Sequence, residues 1–431
     1  MSTARRAAVA LWAIAHSATY GYHIASLNGV QTAVICDGST GRSRWDCLDV
    51  SDNQYGFAVT IVTLGGLVGS LSADAASRRF GRLGTLRIAE TGFILGALAV
   101  AAATHLWMVI IARIIIGISS GLVLVTIPPF LSLIAPERYR TVFGTLHQSS
   151  IGIGMLVAQS LSLALAKKAL WRVELLVAAA IGALLLLVGL FVGKEEQDES
   201  SSADESTALL GDRAQKKPPL SVKDLLTSDD SVLRSGFLIV CVAQFAQQVC
   251  GISPVMYFSS RILQPVFKAE SKLVVLGIMA VGTPFNFLPG LLPSSIGSKR
   301  ILLTSALGTS LFSLLLAIGL NSSNQALSGT AVICFVISFS IGLAPIAWVV
   351  LSEVVPPEAR TAVGSVAVGI NWLTNFTAGS VFLPLQQYLS HGDQGEGNIF
   401  YVFSAASLVA CLAIWTSYWL YNRSQIRAES A

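Results

Sequence analysis

Twelve apolar segments dominate this chain of 431 residues, and each is about 20 residues long, enough to cross a bilayer as an α-helix. They lie near 8–34, 54–74, 85–104, 106–133, 141–166, 171–193, 235–264, 272–293, 300–320, 327–353, 361–388 and 399–421. Only 12% of the residues are charged, about half the usual share of a soluble domain. Because lipid offers no partner to backbone amides, the segments must be helices or a closed barrel. Their length predicts an all-α membrane protein.

One long polar stretch, 194–234, separates the sixth segment from the seventh. Its acidic and serine-rich beginning predicts an unstructured linker, and 220–226 has the pattern of a short amphipathic surface helix. The chain therefore divides into an N-terminal six-helix bundle at 1–193, a linker at 194–234 and a C-terminal six-helix bundle at 235–431.

Lysine and arginine concentrate in the tails, the linker and alternate loops, which predicts that these parts face the cytosol. A Ser…Arg-Thr…Gly pattern that begins at Ser132 recurs at Ser352, an offset of 220 residues. Two matching six-helix halves are typical of a carrier whose binding site lies between them.

Gln247 and Gln248 are adjacent in the seventh segment and together carry four donor hydrogens and two carbonyl oxygens. Gly251 and Pro254 follow, so the helix is weakened just beyond the pair. This arrangement suits a polyhydroxylated ligand. The alternative is that the glutamines only hold helices together.

Several motifs recur in the order of a known family. They are Arg79-Phe80-Gly81-Arg82, Gly144-Thr145-Leu146-His147-Gln148, Trp171-Arg172, Gln247-Gln248-x-x-Gly251-Ile252, Pro345-Ile346-Ala347-Trp348 with Glu353 and Arg360, and Asn371-Trp372 with Asn375. On these motifs the chain resembles the sugar porter family of the major facilitator superfamily, in particular facilitative hexose transporters and fungal vacuolar sugar-transporter-like proteins. The resemblance implies two pseudo-symmetric six-helix bundles and a carrier of a hexose or similar polyol that works by alternating access and is facilitative.

The resemblance also implies a central sugar site. Its expected substrate-binding residues are Gln148, Gln247, Gln248, Ser253, Phe339, Ser340, Trp348, Asn371 and Asn375. Tyr257 and Phe258 are expected to form an outer gate above the sugar. Amides exchange hydrogen bonds with hydroxyl groups, and an indole can cover the apolar face of a pyranose.

Three positions depart from the family pattern. Ser253 replaces an asparagine, Gly282 stands where another asparagine is expected with Asn286 one turn further on, and Ser340 replaces a glutamate. These replacements predict a less polar site than that of a typical glucose carrier.

The resemblance places a proton-coupling aspartate of other sugar porters at His23, while its arginine partner is retained as Arg113. Proton symport through a carboxylate is therefore not expected at this position. His23 is either a pH-sensitive group or a neutral hydrogen-bonding replacement.

A cytosolic gate of charged side chains is also implied. Its expected members are Arg79, Arg82, Arg140, Glu353 and Arg360, which would bridge the halves in one state and separate in the other. Asp74 stands one helical turn before Arg78, so the two are expected to share a helix face.

Glu205, Leu209 and Leu210 in the linker fit an acidic dileucine sorting signal that a clathrin-adaptor complex would bind. A vacuolar or lysosomal membrane is the predicted location, and the plasma membrane is the alternative. Cys36 and Cys47 share one polar loop and are either a disulfide pair or two free thiols.

Other functions are less favoured. The net charge of +4 is small and the basic residues are not clustered, so no nucleic-acid partner is expected. No metal-binding pattern and no set of catalytic residues occurs, so no metal, cofactor or enzymatic activity is expected. A monomer is expected. The remaining alternatives are a carrier of another small solute, such as inositol or a sugar acid, and a non-transporting sugar sensor or trafficking factor.

Overall fold

The structure is a computed structural model that describes residues 3–36, 45–134, 140–167, 170–209, 220–256, 271–292, 296–390 and 395–430. Its regular structure is almost entirely helical. The helices are α1 (Thr3–Val34), α2 (Asp52–Thr60), α3 (Val62–Ala101), α4 (Leu106–Ile134), α5 (Arg140–Leu165), α6 (Trp171–Leu209), α7 (Val222–Thr227), α8 (Ser231–Val249), α9 (Ser271–Phe285), α10 (Leu288–Leu291), α11 (Ser298–Asn321), α12 (Gln325–Ile341), α13 (Leu343–Val354), α14 (Arg360–Leu389) and α15 (Asn398–Ser430).

The helices account for all twelve predicted spans. Eight stretches of the described residues are long and apolar enough to cross a membrane. One of them, Gln54–Ala101, contains two predicted spans that meet at Gly81, whose φ of 69° is not helical. The shorter apolar stretch Leu276–Leu291 is the eighth predicted span. Helices α1 and α14 complete the set, and they are less apolar because they turn polar side chains such as His16 and Asn371 inward, where both are buried.

Each half of the chain has its own apolar core. One core consists of second-half residues together with Leu225 and Leu233 of the linker. The other consists of first-half residues together with Trp348, Val368 and Trp372 of α13 and α14. The protein is therefore a pair of six-helix bundles that touch mainly through α13 and α14. Residues 194–209 differ from the expectation of an unstructured linker, because α6 continues through them to Leu209.

The predicted short helix of the linker is present as α7. Ser221 and Asp224 form a reciprocal capping box at its N-terminus, and the hydrogen bonds from Ser221 hold the pKa of Asp224 below its ordinary value. Leu225 is buried in the second-half core. The Leu220 amide donates to the Glu358 carbonyl, so α7 is fixed to the second half.

Helix α7 also contacts the first half. The backbone N–H of Val222 lies near the Asp74 carboxylate on α3, and Arg78 forms an ion pair with the same carboxylate at 2.9 Å, as expected from their spacing. The linker is thus fastened to both halves at the side predicted to face the cytosol.

The Val222 contact can be removed without disturbing the helix. Proline is tolerated at the first helical position but lacks an N–H, so Val222→Pro is expected to cost about 1.5–3 kcal/mol of local stability, the value of a hydrogen bond to a charged group. Hydrogen exchange at the remaining amides of α7 should accelerate at least about tenfold. Val222→Ala, which keeps the N–H, is the matched control, and equal exchange rates in the two variants would contradict the proposed contact.

The loop after α1 is held by covalent and polar contacts. Cys36 and Cys47 form a disulfide, which selects the first of the two alternatives given by the sequence. Beside it, the Trp171 indole donates to the Asp46 carbonyl at 3.1 Å, and Arg172 donates to the Trp45 carbonyl at 2.9 Å. The start of α6 therefore anchors this loop.

Candidate functional site

A cavity of about 140 Å³ lies between the two halves, enclosed by α1, α4 and α5 on one side and by α8, α9, α12, α13 and α14 on the other. All nine residues predicted to bind substrate line it. The lining residues are Tyr20, Ile24, Leu124, Gln148, Ile151, Gly152, Met155, Gln247, Gln248, Ile252, Ser253, Met256, Met279, Gly282, Thr283, Asn286, Val336, Phe339, Ser340, Trp348, Asn371 and Asn375. Gln148 supplies the first-half amide of this lining, and the other amides come from the second half.

Trp348 joins the two walls of the cavity. Its indole Nε1 donates to Gln148 Oε1 at 2.9 Å, across the interface between the halves. Its ring packs edge-on against His147, with 5.0 Å between ring centroids. Trp348 lies in the second turn of α13, which starts as a separate helix at Leu343. The backbone N–H of Leu343 donates to Ser305 Oγ at 2.9 Å, and this contact fixes the start of the helix that carries the indole. The helix break before α13 thus positions the tryptophan.

The Gln247 side chain forms its hydrogen bonds within the protein. Its Nε2 donates to the carbonyls of Leu343 and Ala344 at 3.1 and 2.9 Å, and its Oε1 accepts from Asn371 Nδ2 at 2.7 Å. Both donor hydrogens are therefore in use. In this conformation Gln247 joins α8 to α13 and α14, which is the helix-holding role that the sequence left open.

Gln248 retains free hydrogen-bonding capacity. One N–H donates to Asn371 Oδ1 at 3.1 Å, and its Oε1 accepts from the hydroxyl of Ser253. A second N–H remains for a ligand. Ser253, which replaces the family's asparagine, orients this amide, and α8 ends between the two residues at Val249, where Gly251 adopts φ 89°.

Two further amides present unused groups to the cavity. Asn286 is buried, and its Oδ1 has no hydrogen-bond partner within the described residues. Gln148 uses its Oε1 on Trp348, which leaves the hydrogens of its amide nitrogen available to a ligand. The set of Gln148, Gln248 and Asn286 can therefore donate to and accept from the hydroxyl groups of a ligand.

The sequence prediction did not include Gln244, which borders the site, or Tyr20, which lines it. Gln244 carries the network further, because its Oε1 accepts from Asn371 Nδ2 at 2.9 Å. Its spacing of three and four residues from Gln247 and Gln248 puts all three on one helix face, a signal that was available in the sequence. Tyr20 lines the opposite wall and has no comparable sequence signal.

None of the described residues that line the cavity is charged. An ionised ligand would lose its hydration there without gaining an opposite charge, which is strongly unfavourable. In the described part of the chain, no three His, Cys, Asp or Glu side chains converge in a way that could hold a metal ion. The chemistry of the site is therefore hydrogen bonding combined with contact to apolar and aromatic surfaces.

His23 and Arg113 lie outside the cavity, in the interior of the first half. The His23 ring is fully buried and stacks on Phe93, with 4.8 Å between centroids. Arg113 donates to the backbone carbonyl of His23 at 2.8 Å and to that of Val59 at 3.0 Å. The arginine therefore supports the backbone of α1 at this point. The predicted outer gate residues Tyr257 and Phe258 lie outside the described residues.

The predicted cytosolic gate is only partly brought together. Arg360 donates to Ser132 Oγ at 3.1 Å, which is a contact between the halves, and to the Ser352 carbonyl at 2.8 Å. Glu353 accepts from Ser298 Oγ at 2.8 Å.

The other gate positions are more peripheral. Arg79 lies over the Phe80 ring at 5.3 Å, and Arg82 is half-buried. The side chain of Arg140, the first residue of α5, is outside the described structure. Of the sorting-signal residues, Glu205 and Leu209 lie on the last part of α6, and Leu210 is outside the described residues.

Two six-helix bundles around an uncharged polar cavity are the arrangement of the major facilitator fold. A family model described as sugar (and other) transporter matches residues 9–421. The chain belongs to this family of sugar transporters.

Similar proteins agree with that assignment. A facilitated glucose transporter, member 3 of solute carrier family 2 from Oryctolagus cuniculus, is 28% identical over 83% of this chain and 77% of its own length. The vacuolar protein sorting-associated protein 73 of Saccharomyces cerevisiae is 23% identical over 93% of this chain and 90% of its own. The solved structure of the proton:xylose symporter XylE of E. coli, bound to 6-bromo-6-deoxy-D-glucose, superposes with a TM-score of 0.79 at 19% identity and covers 96% of each chain.

Proposed function

We propose that this protein carries an uncharged hexose or similar polyol across the membrane by alternating access. The observation that carries the proposal is the cavity between the halves, where amides with free hydrogen-bonding groups face an indole and no described lining residue is charged. Hydroxyl groups of a sugar would bond Gln148, Gln248 and Asn286, and its C–H face would pack on Trp348. The relative named as a facilitated glucose transporter supports a sugar as substrate.

The contacts between the halves suit a cycle of opening and closing. Trp348–Gln148 and Arg360–Ser132 are single hydrogen bonds across the interface, each with a net value of about 0.5–3 kcal/mol. Contacts of this strength hold one state closed and still break on each turnover. Because the cavity holds no charge to match an ionised ligand, inositol fits it better than a sugar acid does.

Reconstitution into liposomes tests the proposal. Purified protein should give saturable counterflow of at least one labelled neutral sugar or polyol from a panel of hexoses, pentoses and inositol, and should give none for glucuronate. Saturable binding without flux would contradict the carrier and favour a sugar sensor. Preference for the sugar acid would contradict the uncharged site.

The two adjacent glutamines should respond differently to substitution. Gln248→Ala removes a free N–H from the cavity, so sugar affinity should fall about tenfold, the equivalent of about 1.4 kcal/mol. Gln247→Ala removes only groups that are already bonded within the protein, to the Leu343 and Ala344 carbonyls and to Asn371. Both variants leave buried partners unpaired, at about 1–3 kcal/mol for each unsatisfied group, so both should unfold at a lower temperature. Counterflow affinity, measured where each variant is folded, checks the distinction: Gln247→Ala should stay within about threefold of the wild type, and an equal fall in affinity for the two variants would contradict it.

We also propose that the carrier works as a monomer in a vacuolar or lysosomal membrane, with its termini in the cytosol. The dileucine pattern at Glu205, Leu209 and Leu210 supports binding of a clathrin-adaptor complex, and a relative is named for vacuolar protein sorting. The Cys36–Cys47 disulfide fits a loop that faces an oxidising lumen. The double variant Leu209→Ala/Leu210→Ala should shift the protein to the plasma membrane in fluorescence microscopy, and an unchanged location would contradict the signal.

A further inference from the structure

A histidine and a glutamate face each other in the interior of the first half. His16 on α1 and Glu90 on α3 are both fully buried, and His16 Nε2 lies 3.5 Å from Glu90 Oε2. Neither Glu90 oxygen has a hydrogen-bond partner within the described residues. Neither residue lines the sugar cavity, so the transport site does not explain the pair.

The hydrogen bonds of His16 define how many protons the pair holds. His16 Nδ1 is 2.9 Å from the Trp12 carbonyl, and because a carbonyl only accepts, Nδ1 carries a hydrogen. If Glu90 were ionised and His16 neutral, a lone pair on Nε2 would face a carboxylate oxygen. One proton between the two atoms removes this repulsion and leaves the pair with no net charge, as either a neutral acid and base or an ion pair.

Space for the carboxyl group is built into the neighbouring helix. A Cβ at Gly182 of α6 would lie 2.8 Å from Glu90 Oε1, so this glycine leaves the room that the carboxyl occupies. Three helices, α1, α3 and α6, therefore meet at the pair, and neither side chain is exposed to solvent in this conformation.

The other charged and titratable groups on the surrounding helices are engaged elsewhere. On α1 the His23 ring stacks on Phe93, and on α4 Arg113 donates to backbone carbonyls. On α6 Glu174 accepts from Ser162 at 2.8 and 3.0 Å. Arg172 on α6 donates to the carbonyls of Trp45 and Ala101, and Arg87 on α3 donates to that of Gly189. Nearer the start of α3, Arg78 pairs with Asp74 and Arg79 lies over Phe80. Among the described residues His16 is thus the ion-pair partner of Glu90.

A short series of contacts connects the pair to the sugar cavity. Ser17, the next residue after His16, has its hydroxyl 2.7 Å from His147 Nδ1. His147 packs against Trp348, and Trp348 donates to Gln148 in the cavity. A change in the position of α1 at the pair would therefore move residues that contact the cavity.

We infer that His16 and Glu90 form a proton-binding site whose occupancy controls the rate of the carrier, an inference that rests on the proposed function. The buried pair keeps one proton. When α1 moves against α3 and α6 as the carrier changes state, water reaches the pair, which then follows the ordinary pKa values, about 4.3 for Glu and about 6.5 for His. Above about pH 6.5 it then loses the proton. Reburial would leave an unpaired carboxylate, which is strongly disfavoured, so transport slows as the pH rises.

Counterflow of a neutral sugar, measured at equal pH inside and outside the liposomes, tests the site. The wild-type rate should fall roughly 20-fold between pH 6 and pH 8, following the protonated fraction of a group with a pKa of about 6.5. Glu90→Gln supplies a permanent N–H to His16 Nε2 in nearly the same shape, so its rate should change less than about twofold over the same range. Glu174→Gln, at another buried carboxylate of this half, is the matched control and should keep the wild-type profile. A wild-type profile in Glu90→Gln would overturn the inference.

A second measurement is independent of transport. A folded protein that holds a proton which the unfolded chain releases loses stability as the pH rises above the unfolded pKa, here about 6.5 for His. The unfolding midpoint of detergent-purified protein should therefore fall between pH 6.5 and pH 8 more in the wild type than in Glu90→Gln. Equal shifts would overturn the proton site even if no sugar were transported, whereas absent counterflow with unequal shifts would count against the carrier alone.

Discussion

Replacing Trp348 with alanine is expected to lower the affinity for sugar about 30-fold and to reduce counterflow to near background. The side chain is only 4% exposed and forms both the aromatic wall of the cavity and the Gln148 bridge between the halves. Loss of a buried indole leaves a void and costs about 3–5 kcal/mol of stability. Loss of about 2 kcal/mol of ligand contact corresponds to the 30-fold change. Binding measured by sugar-induced quenching and flux measured by counterflow check the two parts.

Two control variants separate the roles of this tryptophan. Trp348→Phe keeps an aromatic ring but removes the N–H that bonds Gln148, together with the rest of the five-membered ring, so its affinity should fall at least about fivefold, the value of one neutral hydrogen bond, and less than that of Trp348→Ala. Trp415→Ala removes an indole that is 50% exposed on α15, outside the cavity, and should leave affinity unchanged. If Trp348→Ala bound sugar like the wild type, the aromatic wall would not be part of the site.

The sequence predicted the architecture well because the physical constraint was severe. A segment in lipid must satisfy all its backbone groups, so twelve apolar segments became twelve helical spans. The weakening beyond Gln248 was also predicted correctly, since α8 ends at Val249 and Gly251 has a positive φ. The break at Gly342, which separates α12 from α13, was not predicted. Its cause is tertiary, because Ser305 on α11 caps the new helix.

The sequence motifs do not determine how each residue of the cavity uses its hydrogen-bonding groups. The motifs identified nine residues that line the cavity. They did not indicate that Gln247 donates both amide hydrogens to backbone carbonyls, whereas Gln248 donates one and keeps the other free. That distinction depends on the position of α13 relative to α8. The His16–Glu90 pair was missed for a related reason. Its members are 74 positions apart on different helices, and no motif joins them.

The two halves contribute different chemistry to the carrier. The second half supplies most of the amides of the cavity, including Gln248 and Asn286. The first half encloses His16, Glu90 and Glu174 among its helices. The amides proposed to bind the ligand lie mostly in the second half, and the pair proposed to bind the proton lies in the first half. The contact of His147 with Trp348 connects the two regions.

Replacing Gly121 with valine is expected to prevent stable assembly of the first half. Helices in a membrane gain little from apolar burial, so close backbone contact at small residues holds them together. A Cβ at Gly121 on α4 would collide with the backbone of Gly66 and Ser70 on α3, and backbone cannot move aside as a side chain can. The cost should be about 3 kcal/mol or more, the upper range for overpacking. Gly277→Val is the matched control, because a Cβ there meets nothing within 4 Å. Size-exclusion profiles and unfolding midpoints after detergent extraction should show Gly121→Val aggregated or markedly less stable and Gly277→Val unchanged, while a monodisperse Gly121→Val with the wild-type midpoint would contradict the close α3–α4 contact.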